Sequence, residues 1–231
     1  MPTREEALSL LYEWVKSESL RRHCFSVGLA MEKYAEKYIN ERKLPEDYGN
    51  NNELIKNKID VNEDNDNINN SNKLISNISN NSINNQKTDN NQQIIDKWFV
   101  TGLLHDFDYE KYPDINLHPK KGCEELARAG YEEDIINAIL GHNKMTGVER
   151  ASKMAKTLFA VDELCGLIVA LSYVRPMGFE GLNAKSVGKA LKKKDFAAAI
   201  NRDEIEQGIK ELNVNREEHF SLVIEALKRL P

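Results

Sequence analysis

Outside one long interruption, apolar residues recur along the chain at intervals of three and four, the spacing that gathers them on one face of an α-helix. In "PTREEALSLLYEWVK" the apolar positions Leu8, Leu11 and Val15 follow Thr3 and Glu6, which are spaced as a capping box. "SLRRHCFSVGLAMEKYAEKY" repeats small and apolar residues with the same period. The pattern predicts further helices over 94–105, 119–129, 132–141 and 150–174. Three more fit "NAKSVGKALKKK", "NRDEIEQGIKEL" and "NREEHFSLVIEALKRL", the last two opened by Asn201/Glu204 and Asn215/Glu218 at capping-box spacing. No stretch alternates as a half-buried strand does, and glycine and proline fall mostly between the helical runs. The expected fold class is all-α.

The interruption spans residues 48–93. Between Asn50 and Asn91, 17 of 42 residues are asparagine and none is aromatic. Scattered Ile and Leu show no sustained period there, so the segment cannot repay the entropy of ordering and reads as a disordered, low-complexity insertion. Such length adds little free energy to a loop, which leaves about 185 residues for a single domain, residues 1–231 interrupted once. The chain's 40% hydrophobic content suffices for a core. No apolar run reaches the roughly 20 residues of a membrane span. The N-terminus reads as an amphipathic helix rather than a signal peptide, and a net charge of −5 argues against nucleic-acid binding. Cys24, Cys123 and Cys165 are widely separated, which suits buried thiols in a reducing compartment better than disulfides or a zinc framework. The expected location is cytoplasmic.

Chemistry concentrates in the histidines. Of five, His23 lies on the side of its helix shared with Val27 and Ala30, His105 closes an apolar helix beside Asp106, His118 precedes Pro119, and His142 ends "IINAILGH". Asp162 sits in the middle of "KTLFAVDELCGLIVALSYV", on or beside its core-facing stripe. Any one of these is accounted for as a hydrogen-bonded core histidine or a capping aspartate. Six together are better accounted for by one cluster, because unpaired buried carboxylates are expensive and a cation removes that expense. Imidazole and carboxylate suit Zn, Mn, Fe or Ni. Six N/O ligands exceed the three of a catalytic zinc site, pointing to an octahedral ion or to two ions sharing a carboxylate. His219, in a polar stretch of the last helix, is expected to face solvent.

The order His23, His105-Asp106, His118, His142, Asp162 resembles that of the HD-domain superfamily of metal-dependent phosphohydrolases. In that resemblance His23, His105, Asp106 and Asp162 match the minimal signature, and His118 and His142 match the binuclear subset. That subset includes the HD-GYP phosphodiesterases and HD-type diadenosine tetraphosphate hydrolases, and the HD-fold di-iron oxygenases share its ligand order. "GLLHDFDYEKYPD", "GHNKMTG" and "FAVDELCGLIVALSYVRP" are similar to small bacterial HD proteins. There is no GYP motif, and position 143 is Asn where HD-GYP proteins carry a second histidine, which argues against cyclic-di-GMP as substrate.

The resemblance implies an HD-domain helical bundle with one or two divalent ions (Fe, Mn, Co, Ni or Mg) per chain. It also implies a metal-activated water attacking phosphorus in a phosphoester or phosphoanhydride of a nucleotide-like small molecule. Asp106 would anchor or bridge the ions. Asp108 and Glu110 are candidates for orienting a ligand or donating a proton, with a surface-loop carboxylate the alternative for either. Lys120, Lys121, Lys144 and Arg175 are candidate phosphate-binding cations, each with a solvated alternative. The alternatives are an HD-fold di-iron oxygenase and a non-catalytic metal-binding interaction module. Cys24 points away from His23 on its helix, and Cys165, three residues beyond Asp162, reads as a packing thiol.

Overall fold

The computed structural model describes residues 2–44 and 88–230. These contain nine α-helices and no strand: α1 (Arg4–Trp14), α2 (Glu18–Asn40), α3 (88–103), α4 (Lys120–Arg128), α5 (Glu133–His142), α6 (Lys153–Tyr173), α7 (Ala184–Leu191), α8 (Arg202–Leu212) and α9 (Arg216–Leu227). The all-α expectation holds. One boundary is corrected: residues 88–93, read from composition as insertion, already belong to α3. The helix needs them because Ile94, Trp98 and Phe99 are buried and an α-helix gains little from a nucleus shorter than a few turns. The remainder of the insertion, 48–87, lies outside the described residues.

The helix starts follow their local chemistry. The Thr3 hydroxyl accepts from the Glu6 amide while the Glu6 carboxylate accepts from the Thr3 amide at 2.7 Å, the reciprocal box expected from the sequence. Ser17, Ser152, Asn183, Asn201 and Asn215 each accept backbone N–H donors at the head of α2, α6, α7, α8 and α9.

α6 is the axis of the packing. It touches α2, α5, α7, α8 and α9, and Met154, Leu158, Val161, Leu164, Leu167 and Ile168 are all fully buried along it. A helix apolar on nearly every side belongs at the centre of a bundle. Two glycines set how tightly its neighbours dock. A Cβ on Gly208 of α8 would stand 2.6 Å from Ala160 Cα of α6. A Cβ on Gly102 of α3 would stand 2.8 Å from Val27 O and 2.9 Å from Gly28 Cα of α2. This second approach brings together the helix that carries His23 and the helix that leads into His105. Among the described residues no helix is long and apolar enough to cross a membrane.

Candidate metal centre

α3 ends at residue 103, and the chain then turns tightly through 104–111. That turn, rather than the helix, presents His105 and Asp106. His23 comes from the second turn of α2, His118 from the segment before α4, His142 from the last residue of α5, and Asp162 from the middle of α6. Side chains up to 139 positions apart meet in one space.

The Asp106 carboxylate is at its centre and uses its two oxygens differently. Oδ2 lies 3.3 Å from His105 Nε2 and 3.6 Å from His23 Nε2. Oδ1 lies 3.1 Å from His118 Nε2 and 3.3 Å from His142 Nε2. Asp162 Oδ1 joins the first group, 3.0 Å from His23 Nε2 and 3.3 Å from His105 Nε2. Two trios therefore share one carboxylate, His23/His105/Asp106 and Asp106/His118/His142, each with donor atoms within 4.8 Å of one another. Four imidazole nitrogens and three carboxylate oxygens aimed into one volume, with no hydroxyl or cysteine among them, fit hard-to-borderline divalent ions. The first group offers four protein donors and the second three.

The imidazoles are aimed by what holds their other nitrogens. His105 Nδ1–H donates to Gly102 O at 2.8 Å, and His142 Nδ1–H donates to Ile139 O. His118 Nδ1–H donates to Asp108 Oδ1 at 2.7 Å. Donation through Nδ1 leaves the Nε2 lone pair free as a ligand, so backbone carbonyls and one carboxylate fix three tautomers. Asp108 is itself fully buried and accepts a second hydrogen bond from Gly122 N–H at 2.7 Å. Gly122 has to be glycine, since a Cβ there would lie 2.8 Å from Asp108 Cγ.

The electrostatics of the cluster point the same way. Burial by itself would lower the His105 pKa, yet the facing carboxylates of Asp106 and Asp162 raise it well above the usual imidazole range. The same contest, with Asp106 and Asp108, raises His118 to about 9. Burial would raise both aspartates, but the surrounding imidazoles hold Asp106 and Asp162 well below the usual carboxylate range. Protons on the histidines thus occupy the place between carboxylates that a divalent cation would take, and a cation binding there would displace them. Glu163, passed over in the sequence, is pushed up to about 7 by burial and by Asp162, while its Oε2 accepts from the Asn201 amide at 3.0 Å. Its adjacency to Asp162 was the available signal.

The other expectations divide. The six candidate ligands converge. Asp108 stands behind His118, is closed to solvent and holds the His118 imidazole through its Nδ1–H. Glu110 is away from the cluster and accepts from the Lys16 and Ser17 amides, both at 2.7 Å, clamping the start of α2. None of the described hydrogen bonds or ion pairs joins Lys120, Lys144 or Arg175 to a cluster side chain. Lys120 is exposed at the head of α4, Lys144 Nζ pairs with Glu204 at 3.2 Å, and Arg175 Nη2 donates to Glu180 O at 3.1 Å. Lys121 pairs with Glu124 at 2.8 Å. Burial, then the nearby Asp106 and Asp162, pushes the Cys24 thiol well up, and burial with Asp162 does the same to Cys165, so both stay protonated thiols in the packing.

His219 is corrected outright. It is 1% exposed, accepts through Nδ1 from the Tyr34 hydroxyl at 2.5 Å and donates through Nε2 to Ala160 O at 3.1 Å. Glu217 and Glu218 disguised it, whereas its spacing to Val223 and Ala226, both buried, was the sign that it lies on the inner stripe of α9.

Compared with known families, residues 75–167 match the HD domain model. That span holds every ligand of the cluster except His23. Searches of the curated proteins and of the solved structures found no match.

Proposed function

We propose that the chain, whose residues 75–167 match the HD domain and whose clustered histidines and aspartates could hold metal, is a metal-dependent phosphohydrolase acting on a phosphoester or phosphoanhydride of a nucleotide-like small molecule. The observation that carries the reading is the division of Asp106: one oxygen faces two histidines and the other oxygen faces two more. His23, His105, Asp106 and Asp162 would hold one divalent ion, and Asp106, His118 and His142 could hold a second. A bound ion would supply Lewis-acid charge for a phosphoryl group and would bring the pKa of its water toward 7.

The chain's own residues do the rest. His105, His118 and His142 are locked in the tautomer that turns Nε2 inward, so no reorientation is needed when a ligand arrives. Approach is from the side where Asp106, Asp162 and His23 keep 17%, 19% and 23% of their side-chain surface exposed, since His105, His118 and His142 are closed off. Lys144, two residues beyond His142, would reach a phosphoryl oxygen by leaving Glu204, and Lys120 and Arg175 are the further candidates for that role.

The test is phosphate release from phosphomonoesters, nucleotides and dinucleoside polyphosphates by protein loaded with Mn, Fe or Co. Asp106→Ala should abolish release while the helical circular dichroism is unchanged; full activity in that variant would refute the proposal. Because the same donor set serves di-iron oxygenases, oxygen uptake by the iron-loaded protein without phosphate release would move the assignment there.

A further inference from the structure

An aromatic ring stands at the cluster with no part in holding its ligands. In the turn that follows Asp106, Phe107 and Asp108 are buried, whereas Tyr109 leaves 46% of its surface exposed. Its ring meets the His118 imidazole edge to face, with centroids 5.2 Å apart and planes at 87°. The ring's support is rigid. Tyr109 N–H donates to Asp106 O at 3.0 Å, Asp108 O accepts from Lys111 and Tyr112 N–H at 3.0 and 2.9 Å, and the Asp108 side chain is anchored on His118 and Gly122.

Two exposed apolar side chains stand on the segments that carry His118 and His142. Ile115 and Met145 are each 56% exposed, on the two loops that bracket His118 and His142. Asn143 ties these loops together, its Nδ2 donating to Ile115 O at 3.2 Å and to His118 O at 2.7 Å. A charged cluster thus borders an exposed aromatic ring carried on a hydrogen-bonded turn, with exposed apolar side chains on the neighbouring segments. That pairing matches a molecule with an anionic head and a flat, weakly polar body. An aliphatic sugar phosphate would gain nothing from the ring, while a nucleobase stacks on it with any sequence of ring atoms.

We propose that Tyr109 is a specificity-determining residue, stacking the base of a nucleoside phosphate whose phosphoryl group lies at the cluster. The inference rests on the phosphohydrolase reading and narrows it to substrates with a planar aromatic group close to the phosphate.

The experiment is equilibrium dialysis of manganese-loaded protein with hydrolysis-resistant methylenephosphonate analogues of AMP and of ribose 5-phosphate. The unaltered protein should bind the adenosine compound about tenfold or more tightly than the ribose compound. Tyr109→Ala should remove that preference, leaving the ribose compound's Kd and the metal content unchanged, and Tyr109→Phe should keep it. A preference that survives Tyr109→Ala, or equal binding of the two compounds to the unaltered protein, would overturn the inference and leave the phosphohydrolase reading standing. If metal-loaded protein binds neither compound, both fall.

Discussion

Gly102→Ala is the sharpest probe of how the fold makes the site. The added Cβ would lie 2.8 Å from Val27 O and 2.9 Å from both Gly28 Cα and Gly28 N. Ordinary contact begins at 3.4 Å, so α2 and α3 must part by about half an ångström. All three atoms are backbone, and no rotamer change can relieve them. Overpacking of this kind costs about 1–3 kcal/mol. Against it stands the gain of about 0.5–1 kcal/mol from replacing a helical glycine by alanine. The net effect should be a loss of about 1–2 kcal/mol, or roughly 2–8 °C in Tm for a chain of this size. Gly28→Ala is the matched control, since its Cβ would meet Phe99 at 3.2 Å, partly against a side chain that can shift. Denaturant unfolding of the metal-free proteins measures the stability term. Manganese titration reads the separation of His23 from His105, whose Nε2 atoms are 3.2 Å apart, as weaker binding at the first trio. A Gly102→Ala protein as stable as the parent, with unchanged manganese affinity, would refute the close approach and the argument built on it.

Three other outcomes are expected. His219 is neutral in the fold, its pKa lowered to about 4 by burial, so the unfolded chain takes up the proton first as pH falls below about 6.5. Its contribution is therefore complete above that pH and is lost toward pH 4, to the extent of about 3 kcal/mol. His219→Gln, which has a donor and an acceptor for Ala160 O and Tyr34 but no proton to gain, should show a shallower acid decline in urea unfolding. Asp108→Ala strands the His118 Nδ1–H and the Gly122 N–H; isothermal titration should find the weaker of two metal equivalents reduced about 10- to 100-fold in affinity, with the tighter one retained. Arg150 donates to Glu211 at 2.7 and 2.8 Å and to Gly141 O at 2.8 Å, beside His142. Arg150→Leu should lower unfolding free energy by about 1–3 kcal/mol, measured by denaturant titration.

The ligands were legible in the sequence because their residue types are costly to bury alone; His105 beside Asp106 needs an explanation wherever it stands. The helices were legible because period and caps are local: Thr3 with Glu6 forms the box its spacing announces. What aims the imidazoles was not legible, since Gly102 O and Ile139 O are backbone acceptors that any residue would supply. The burial of His219 depends on α2 and α6 closing over it, and the charges of Glu217 and Glu218 drew the reading outward. The start of α3 was hidden by asparagines, whose composition speaks for a loop although Trp98 and Phe99 pull the preceding turns into the core.

The antiparallel course of α2 and α3 has a consequence for how the gene product can be divided. His23 lies 17 residues before the end of α2, and His105 follows the start of the described α3 by the same number, so the histidine–aspartate cluster sits about 25 Å along the helices from both chain ends there. Whatever joins residue 44 to residue 88 departs from the end remote from the ligands. Expressed as two polypeptides parted in that interval, the protein would carry His23 on one piece and the other five ligands on its complement. Metal capture by the mixed pieces then becomes a direct gauge of their reassembly, with the Gly28–Gly102 contact as the latch.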